Sequence, residues 1–157
     1  MRPNWDETWM AVAQIIAQRS LCGRAKIGAV IVDQHDRIVA VGYNGPPAGF
    51  DHGTQQCHAW CNRMQDGPTA ATLTSYEDCP SLHAEINALS VCDRSMREGG
   101  IIYVTGVICF TCAKAVANSG LTAVVMRDDG EAVYRAPGRT ITFLERCGLD
   151  VQVVSAP

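Results

Sequence analysis

Two short motifs in the chain carry side chains that could hold a metal ion together. They are His83-Ala84-Glu85 and Cys109-Phe110-Thr111-Cys112. Cys109 and Cys112 are three residues apart, so on the first turn of a helix their sulfurs can converge on one ion. A helix N-terminus also favours the thiolate, which is the form that binds metal. Two thiolates and the imidazole of His83 make a three-ligand zinc site, which leaves a fourth position for water as catalytic zinc sites do.

Glu85 stands two residues after the predicted ligand His83, where it can lie beside the metal-bound water without binding the metal. Zinc lowers the pKa of such a water to roughly 7, which makes hydroxide available at neutral pH. Glu85 could then take a proton from the water and pass it to a substrate. The alternatives are a structural zinc site or buried core residues for the three ligands, and a solvated helix-start carboxylate for Glu85. The presence of both motifs, each opening a helix, favours catalysis.

The elements around these motifs must bring the two helix starts to one place. The chain opens on a predicted helix whose apolar stripe is formed by Trp5, Trp9, Val12 and Ile16. Two apolar strands follow, at 27–32 and 37–43, and the polar turn 33–36 between them predicts a hairpin. Beyond residue 80 the pattern alternates between helices, at 83–96, 109–119 and 140–147, and strands, at 101–105, 123–126 and 151–154.

Helices that alternate with apolar strands imply a central sheet with helices on both faces. We therefore predict a three-layer α/β/α fold, formed as a single domain over residues 1–157. Its five-stranded mixed sheet contains the opening hairpin and then parallel strands. If the strand between the two motifs is parallel to its neighbours, both helix starts lie at one edge of the sheet, where α/β proteins build their sites.

Length and composition restrict the class of protein. The 157 residues are 47% hydrophobic and only 18% charged, which is typical of a globular domain and argues against disorder. The net charge of -3 lacks the basic surplus usual for proteins that bind duplex nucleic acid, so a small-molecule substrate is favoured. The sequence has no run of about 18 apolar residues and no apolar signal region, so we predict a cytoplasmic protein without a membrane span.

Eight cysteines in a reducing compartment are poor disulfide candidates, so metal binding, catalysis or burial must explain them. Three of them, Cys57, Cys61 and Cys79, lie in the stretch 45–80, where no strong periodicity is visible. A loop of this length is normally functional or held in place by something. Cys92 and Cys147, outside the loop, are predicted to be small core residues.

The order H-x-E and then P-C-x-x-C is a known signature of zinc deaminases, and Ile108 stands here where the signature has proline. We expect the change to loosen the turn or reshape the pocket wall without removing a metal contact. With these motifs the chain resembles the cytidine and deoxycytidylate deaminase superfamily over nearly its whole length, and the deoxycytidylate (dCMP) deaminases most. The matching segments are 5–7, 19–22, 28–32, 42–45, 83–88, 103–105 and 112–114. Among them Gly42-Tyr43-Asn44-Gly45 separates this branch from tRNA adenosine and guanine deaminases better than the zinc motif does.

The resemblance implies a reaction in which zinc-bound hydroxide attacks C4 of cytosine. Glu85 would protonate N3 and then the departing amine, so that dCMP becomes dUMP and ammonia. The resemblance also implies that Asn44 contacts the sugar and that Ala84 binds the substrate. The alternative for Asn44 is a turn residue before Gly45-Pro46. A nucleotide needs a cation for its phosphate, and Arg24 and Lys26 are candidates, with a solvated surface position as the competing interpretation of each. Members of the family are often homo-oligomers, and some are regulated by dCTP and dTTP.

Many bacterial and phage relatives carry a second, structural zinc, and the resemblance implies that one could be bound here. Four cysteines could supply a closed site: Cys22, Cys57, Cys61 and Cys79. In those relatives a cysteine often follows the histidine equivalent to His52, but Gly53 stands here, so His52 and His58 are rival ligands. Cysteines without a metal are the other alternative.

The predicted function is therefore the hydrolytic deamination of dCMP by a zinc-dependent enzyme. The nearest alternative is the same chemistry on another cytosine nucleoside or nucleotide, or on a base in nucleic acid. An alternative from a different class is a non-catalytic, zinc-stabilised nucleotide-binding subunit. The presence of Glu85 argues against this alternative.

Overall fold

A computed structural model of the chain describes residues 2–50, 59–61, 79–128 and 137–155. The helices are α1 (Trp5–Ala17), α2 (Ala84–Ser90), α3 (Arg94–Arg97), α4 (Phe110–Ala117) and α5 (Pro137–Arg146). The strands are β1 (Gly28–Val32), β2 (Ile38–Tyr43), β3 (Ile101–Val104), β4 (Ala123–Asp128) and β5 (Asp150–Ser155). No helix in this part of the chain is both long and apolar enough to cross a membrane.

The five strands form one mixed sheet in the order β2-β1-β3-β4-β5. β1 pairs antiparallel with both β2 and β3, whereas β4 is parallel to β3 on one side and to β5 on the other. α1 packs on one face of the sheet, and α2, α4 and α5 pack on the other. The predicted three-layer α/β/α fold, with an opening hairpin followed by parallel strands, is confirmed.

The directions of the strands explain why two helix starts meet. β3, the strand between the two motifs, was expected to be parallel to its neighbours. It is parallel to β4 on one side but antiparallel to β1 on the other. Because β2 is also antiparallel to β1, β2 and β3 run in the same direction and end at the same edge of the sheet. Gly45 and Leu82 form a bridge at this edge, with backbone N–H to O distances of 3.1 and 2.9 Å. The bridge brings His83 to the end of β2, and Cys109 follows the end of β3.

The face that α1 buries differs from the predicted apolar stripe. Its buried residues are Met10, Ala13 and Ala17. Trp5 of the stripe is 48% exposed and stacks on Trp9, with the ring centroids 5.0 Å apart. The reason is steric: a Cβ at Gly28 would lie 2.0 Å from the carbonyl oxygen of Ala13, so only small side chains fit at this approach. Trp9 and Val12 of the stripe are half-buried and pack against the smaller core, which contains Met10 and Ala13.

The larger of the two cores lies under α2, α4 and α5. Its buried members include Ala88, Val104, Ile108, Val116, Met126 and Leu144. Cys92 belongs to this core, as predicted. The prediction was wrong for Cys147, which is exposed because it follows the last residue of α5, at the turn made by Gly148 with a φ of 87°.

The single helix predicted at 83–96 is two helices. α2 ends at Ser90, and Asp93 takes an extended backbone (φ -63°, ψ 146°) before α3 begins. The break lets the guanidinium of Arg97 fold back onto carbonyls at the end of α2, including that of Leu89. Such carbonyls have no partner within their own helix, so the break is stabilised by the bonds it makes possible. Helical spacing alone could not reveal it, because the apolar period continues across the break.

The contact between β2 and α2 depends on Gly42. A Cβ at this position would lie 2.3 Å from Ala84 O and 2.5 Å from Ala88 N, both backbone atoms of α2. We expect Gly42→Ala to lower the free energy of unfolding in urea by about 1–3 kcal/mol, because overpacking forces α2 away from the sheet. Gly45→Ala is the matched control and should cost less than about 1 kcal/mol, since its Cβ would approach only the Tyr43 ring, at 3.5 Å. Equal unfolding midpoints for the two variants would contradict this account.

Candidate metal centre

The two predicted ligand motifs stand at the N-termini of α2 and α4. His83 is the N-cap of α2 and Cys109 is the N-cap of α4, and both have extended backbone with φ of -73°. Cys112 lies in the first turn of α4 and is buried. The Cys109 sulfur accepts a hydrogen bond from the Cys112 N–H at 3.4 Å, which is the usual role of an N-cap side chain. The imidazole and both sulfurs are thereby brought to one point at the edge of the sheet.

The spacing of these atoms fits zinc. His83 Nδ1 lies 3.4 Å from Cys109 Sγ and 3.3 Å from Cys112 Sγ, and all three ligand atoms lie within 4.8 Å of one another. In a tetrahedral site with ordinary Zn–N and Zn–S bonds, the N···S separation is about 3.6 Å. Among the residues that the structure describes, no second group of three metal-binding side chains is this close.

The two thiols differ in acidity. A hydrogen bond with the Cys112 thiol, helped by a bond with His83, lowers the pKa of Cys109. The same bond with Cys109, together with burial and the charge of Glu85, raises the pKa of Cys112. Two thiolates and a neighbouring carboxylate repel one another. A cation between the sulfurs is therefore needed for both thiols to lose their protons. A divalent metal ion meets that need.

Glu85 lies in the first turn of α2 and is only 4% exposed. Its carboxylate raises the pKa of Cys112 through its charge and a hydrogen bond, which places it directly beside the ligand group. Burial of a carboxylate costs free energy unless donors or cations surround it. The solvated helix-start carboxylate, which was the alternative interpretation of Glu85, does not agree with this burial.

Ile108, which stands in place of the proline of the signature, is fully buried in the larger core. Cys109 nevertheless has the extended backbone of an N-cap and accepts the N–H of Cys112. The turn therefore forms without proline. Burying an isoleucine side chain contributes about 1.5–3 kcal/mol, so this residue stabilises the start of α4 from the core side.

The amide of Asn44 holds the segment that precedes β1. Its Oδ1 accepts from the Ile27 N–H at 2.8 Å, and its Nδ2 donates to Ala25 O at 2.9 Å. Its own carbonyl accepts from Ser20 Oγ at 2.7 Å. These bonds give the buried Asn44 a structural role at the end of β2. The contact with a substrate sugar stays a prediction.

Asn44→Ala is expected to lower the free energy of unfolding by about 2 kcal/mol, because two partly buried backbone groups lose their partner. These groups are the Ile27 N–H and the Ala25 carbonyl. Urea unfolding followed by circular dichroism measures the change. Asn118→Ala, at an exposed asparagine, should stay within about 0.5 kcal/mol of the parent. A parent-like midpoint for Asn44→Ala would mean that other contacts hold this segment.

Three further residues predicted to bind substrate differ in exposure. Ala84 is fully buried, and its carbonyl lies close to Gly42. Arg24 and Lys26 are exposed, which is compatible both with a phosphate contact and with a solvated surface. Their role with the phosphate stays a prediction.

The predicted second zinc site falls partly outside the described residues. Cys61 is buried, and Cys22 and Cys79 are half-buried. Cys57 and the rival ligands His52 and His58 lie outside the part of the chain that the structure describes. The four-cysteine site therefore stays a prediction.

Phe110, between the two cysteines, belongs to an aromatic and cationic group that sequence reasoning did not single out. Its ring packs on Phe143 of α5, with centroids 5.0 Å apart, and the Arg139 guanidinium carbon lies 4.6 Å from its centroid. This helix was predicted to begin at residue 140, which leaves Arg139 outside it. Pro137, the first residue of α5, was the available signal, since proline favours the first helical position.

Known proteins share this sequence pattern. The family model described as "Cytidine and deoxycytidylate deaminase zinc-binding region" matches residues 3–127. The deoxycytidylate deaminase of Mycobacterium phage D29 is 40% identical over 128 residues, which are 79% of this chain and 94% of that protein. The deoxycytidylate deaminase of Saccharomyces cerevisiae is 33% identical over 156 residues, which are 99% of this chain but only 46% of that protein.

The same fold is found in a solved structure. The dCMP deaminase of the cyanophage S-TIM5, in complex with dCMP and dUMP, has a TM-score of 0.73 and 29% identity. The match covers 98% of this chain and 99% of that one. The zinc-binding region of the family and the group of His83, Cys109 and Cys112 together confirm the predicted zinc cofactor.

Proposed function

Because this chain belongs to the cytidine and deoxycytidylate deaminase family, we propose that it is a zinc-dependent hydrolase that converts dCMP to dUMP and ammonia. The observation that carries the proposal is the convergence of one imidazole and two cysteine sulfurs on a single point. The substrate is supported by the phage deoxycytidylate deaminase, 94% of whose length aligns with this chain. It is also supported by the structural similarity to a dCMP deaminase in complex with dCMP and dUMP.

His83, Cys109 and Cys112 would hold the zinc in this proposal. All three come from N-cap or first-turn positions. For the two cysteines, the helix dipole and the free N–H groups at such positions favour the thiolate. When bound, zinc polarises a water molecule so that it becomes a nucleophile at neutral pH. The ligands stand on the starts of two packed helices, so their spacing is set before any metal or substrate arrives.

Glu85 would move the protons. Its carboxylate takes a proton from the attacking water and donates it to N3 of the cytosine, while the water oxygen bonds to C4. It then transfers the remaining hydroxyl proton to the C4 amino group, which leaves as ammonia when the C–N bond breaks. The burial of Glu85 suits this role, because a shielded carboxylate exchanges its proton with the neighbouring reactants rather than with bulk water.

A substrate panel tests this function. Zinc-loaded protein is incubated separately with dCMP, deoxycytidine, dCTP and single-stranded DNA, and ammonia release is followed. We expect kcat/KM for dCMP to exceed that of each other compound by at least about 100-fold. Turnover of another compound without turnover of dCMP would overturn the substrate and keep the enzyme class. The absence of ammonia from every compound, at full zinc content, would favour the non-catalytic nucleotide-binding subunit.

We further propose, from the family resemblance, that residues 1–157 form a single domain of a cytoplasmic homo-oligomer, with dCTP and dTTP as effectors. Mass measurement in solution, with and without dCTP, tests the oligomer and the effector. Zinc counting tests the metal content, since two ions per chain would support the second site at Cys22, Cys57, Cys61 and Cys79.

A further inference from the structure

The guanidinium of Arg97 connects the C-terminal ends of two helices, α2 and α4. Its Nη1 donates to Leu89 O at 3.2 Å and also to Cys92 O, while its Nε donates to Ser119 O at 3.0 Å. Leu89 lies in the last turn of α2, and Cys92 lies in the turn that follows. Ser119 comes directly after the C-cap of α4. One side chain therefore bonds to the ends of both helices.

Carbonyls at helix ends are natural partners for an arginine. The last carbonyls of a helix have no N–H partner within it and carry the negative end of its dipole. The forked donors of an arginine can bond several such carbonyls at once, and its charge is permanent. Arg97 is half-buried, whereas its neighbour Arg94 is exposed, pairs with Glu98 at the surface and reaches only the end of α4, through Asn118 O at 3.4 Å.

The opposite ends of the same two helices carry the ligand group. α2 has 7 residues and begins after His83, and α4 has 8 residues and begins after Cys109. A helix of this length is about 10–12 Å long, so a tilt of about 5° around its C-terminal end displaces its N-terminus by about 1 Å. Metal sites require ligand distances within about 0.2 Å of their ordinary values. The angle between α2 and α4 therefore decides whether the three ligands fit one ion.

We propose that Arg97 is a positioning residue for the zinc site, which sets the spacing between His83 and the two cysteines by holding α2 and α4 at a fixed angle. The inference rests on the proposed function in that these residues hold zinc. Core packing holds both helices on the sheet through small side chains such as Ala88 and Val116. Packing of this kind is not directional, whereas hydrogen bonds are, so the bonds of Arg97 add the angular restraint.

The test compares Arg97→Ala and Arg97→Lys with the same two changes at Arg37, an exposed arginine beside the hairpin turn. Zinc affinity is measured by competition with a chromogenic chelator, and kcat and KM for dCMP are measured at saturating zinc. We expect Arg97→Ala to weaken zinc binding by roughly 10–100-fold, as loss of a group that orients ligands does, and to lower kcat more than it raises KM. Arg97→Lys should recover part of the affinity, because one ammonium keeps the charge but cannot bond both helix ends. Both Arg37 variants should bind zinc as the parent does.

A merely structural role gives a different result. In that case Arg97→Ala lowers the Tm of the zinc-free and the zinc-loaded protein equally and leaves zinc affinity unchanged, which would overturn the proposal. If Arg97→Ala does not fold, Arg97→Lys against Arg37→Lys decides, and equal zinc affinities of these two variants overturn it. The parent protein could also bind zinc without deaminating dCMP. In that case, a loss of zinc affinity in Arg97→Ala would support the positioning role of Arg97 and would reject dCMP as the substrate.

Discussion

Glu85→Gln is expected to abolish deamination while zinc stays bound. Glutamine keeps the size of the buried Glu85 side chain but cannot accept and return a proton. One general acid–base group contributes about 10²–10⁴-fold to the rate, and Glu85 would act in successive proton transfers. We therefore expect kcat for dCMP to fall at least about 10³-fold. Ammonia release at saturating dCMP measures the loss.

Glu98→Gln is the matched control for this change. The Glu98 side chain is 58% exposed and pairs with Arg94 at the surface, so the variant should retain the parent kcat. Both variants should bind as much zinc per chain as the parent. A Glu85→Gln variant with kcat within tenfold of the parent would mean that another group moves the protons. Loss of zinc from Glu85→Gln would mean that the carboxylate acts chiefly by holding the metal site together.

Cys112→Ala is expected to remove both zinc binding and activity. The change takes away one of three proposed ligands and leaves the Cys109 sulfur and the His83 imidazole, which are too few to retain a catalytic zinc. Loss of a group that only orients a ligand weakens metal binding by about 10–100-fold, so loss of a ligand should cost more than about 100-fold. Chelator competition measures the affinity, and elemental analysis of the purified protein measures the zinc content.

Cys92→Ala is the matched control, since Cys92 is also a buried cysteine. Its thiol donates a hydrogen bond to Asp93 O at 3.5 Å and lies outside the ligand group. It should bind zinc as the parent does and lose at most modest stability. Treatment of the parent with a chelator should remove activity, and added zinc should restore it. Restoration of Cys112→Ala by excess zinc to the parent kcat would contradict the assignment of Cys112 as a ligand.

The candidate site could be predicted from the sequence because its chemistry depends on local spacing. A Cys-x-x-Cys at a helix start places two sulfurs on one turn. A helix that begins directly after His83 places Glu85 in its first turn, at the same helix end as the histidine. The alternation of apolar strands and helices similarly predicted the five-stranded sheet and its two covered faces. Both features depend on a repeated pattern or on residues close together in the chain, so the sequence alone is enough to predict them.

The close approach of segments that are distant in sequence could not be predicted in this way. The stripe through Trp5, Trp9, Val12 and Ile16 does not show which residues of α1 lie deepest. The backbone of Gly28 comes so close that Ala13 and Ala17 occupy that position. The break between α2 and α3 was missed for a different reason: the apolar spacing continues across it, and the bond from Arg97 to the Leu89 carbonyl that stabilises it forms only once the chain has turned.

The sequence by itself determined which atoms are available to a metal and a proton: one imidazole, two thiols on a helix start and one carboxylate. Only the tertiary structure decided that they meet. His83 and Cys109 are 26 residues apart, and their side chains lie 3.4 Å from each other because β2 and β3 run in the same direction on either side of β1. Donor chemistry belongs to each residue, whereas convergence depends on strand order and on packing between distant segments, which no local pattern encodes.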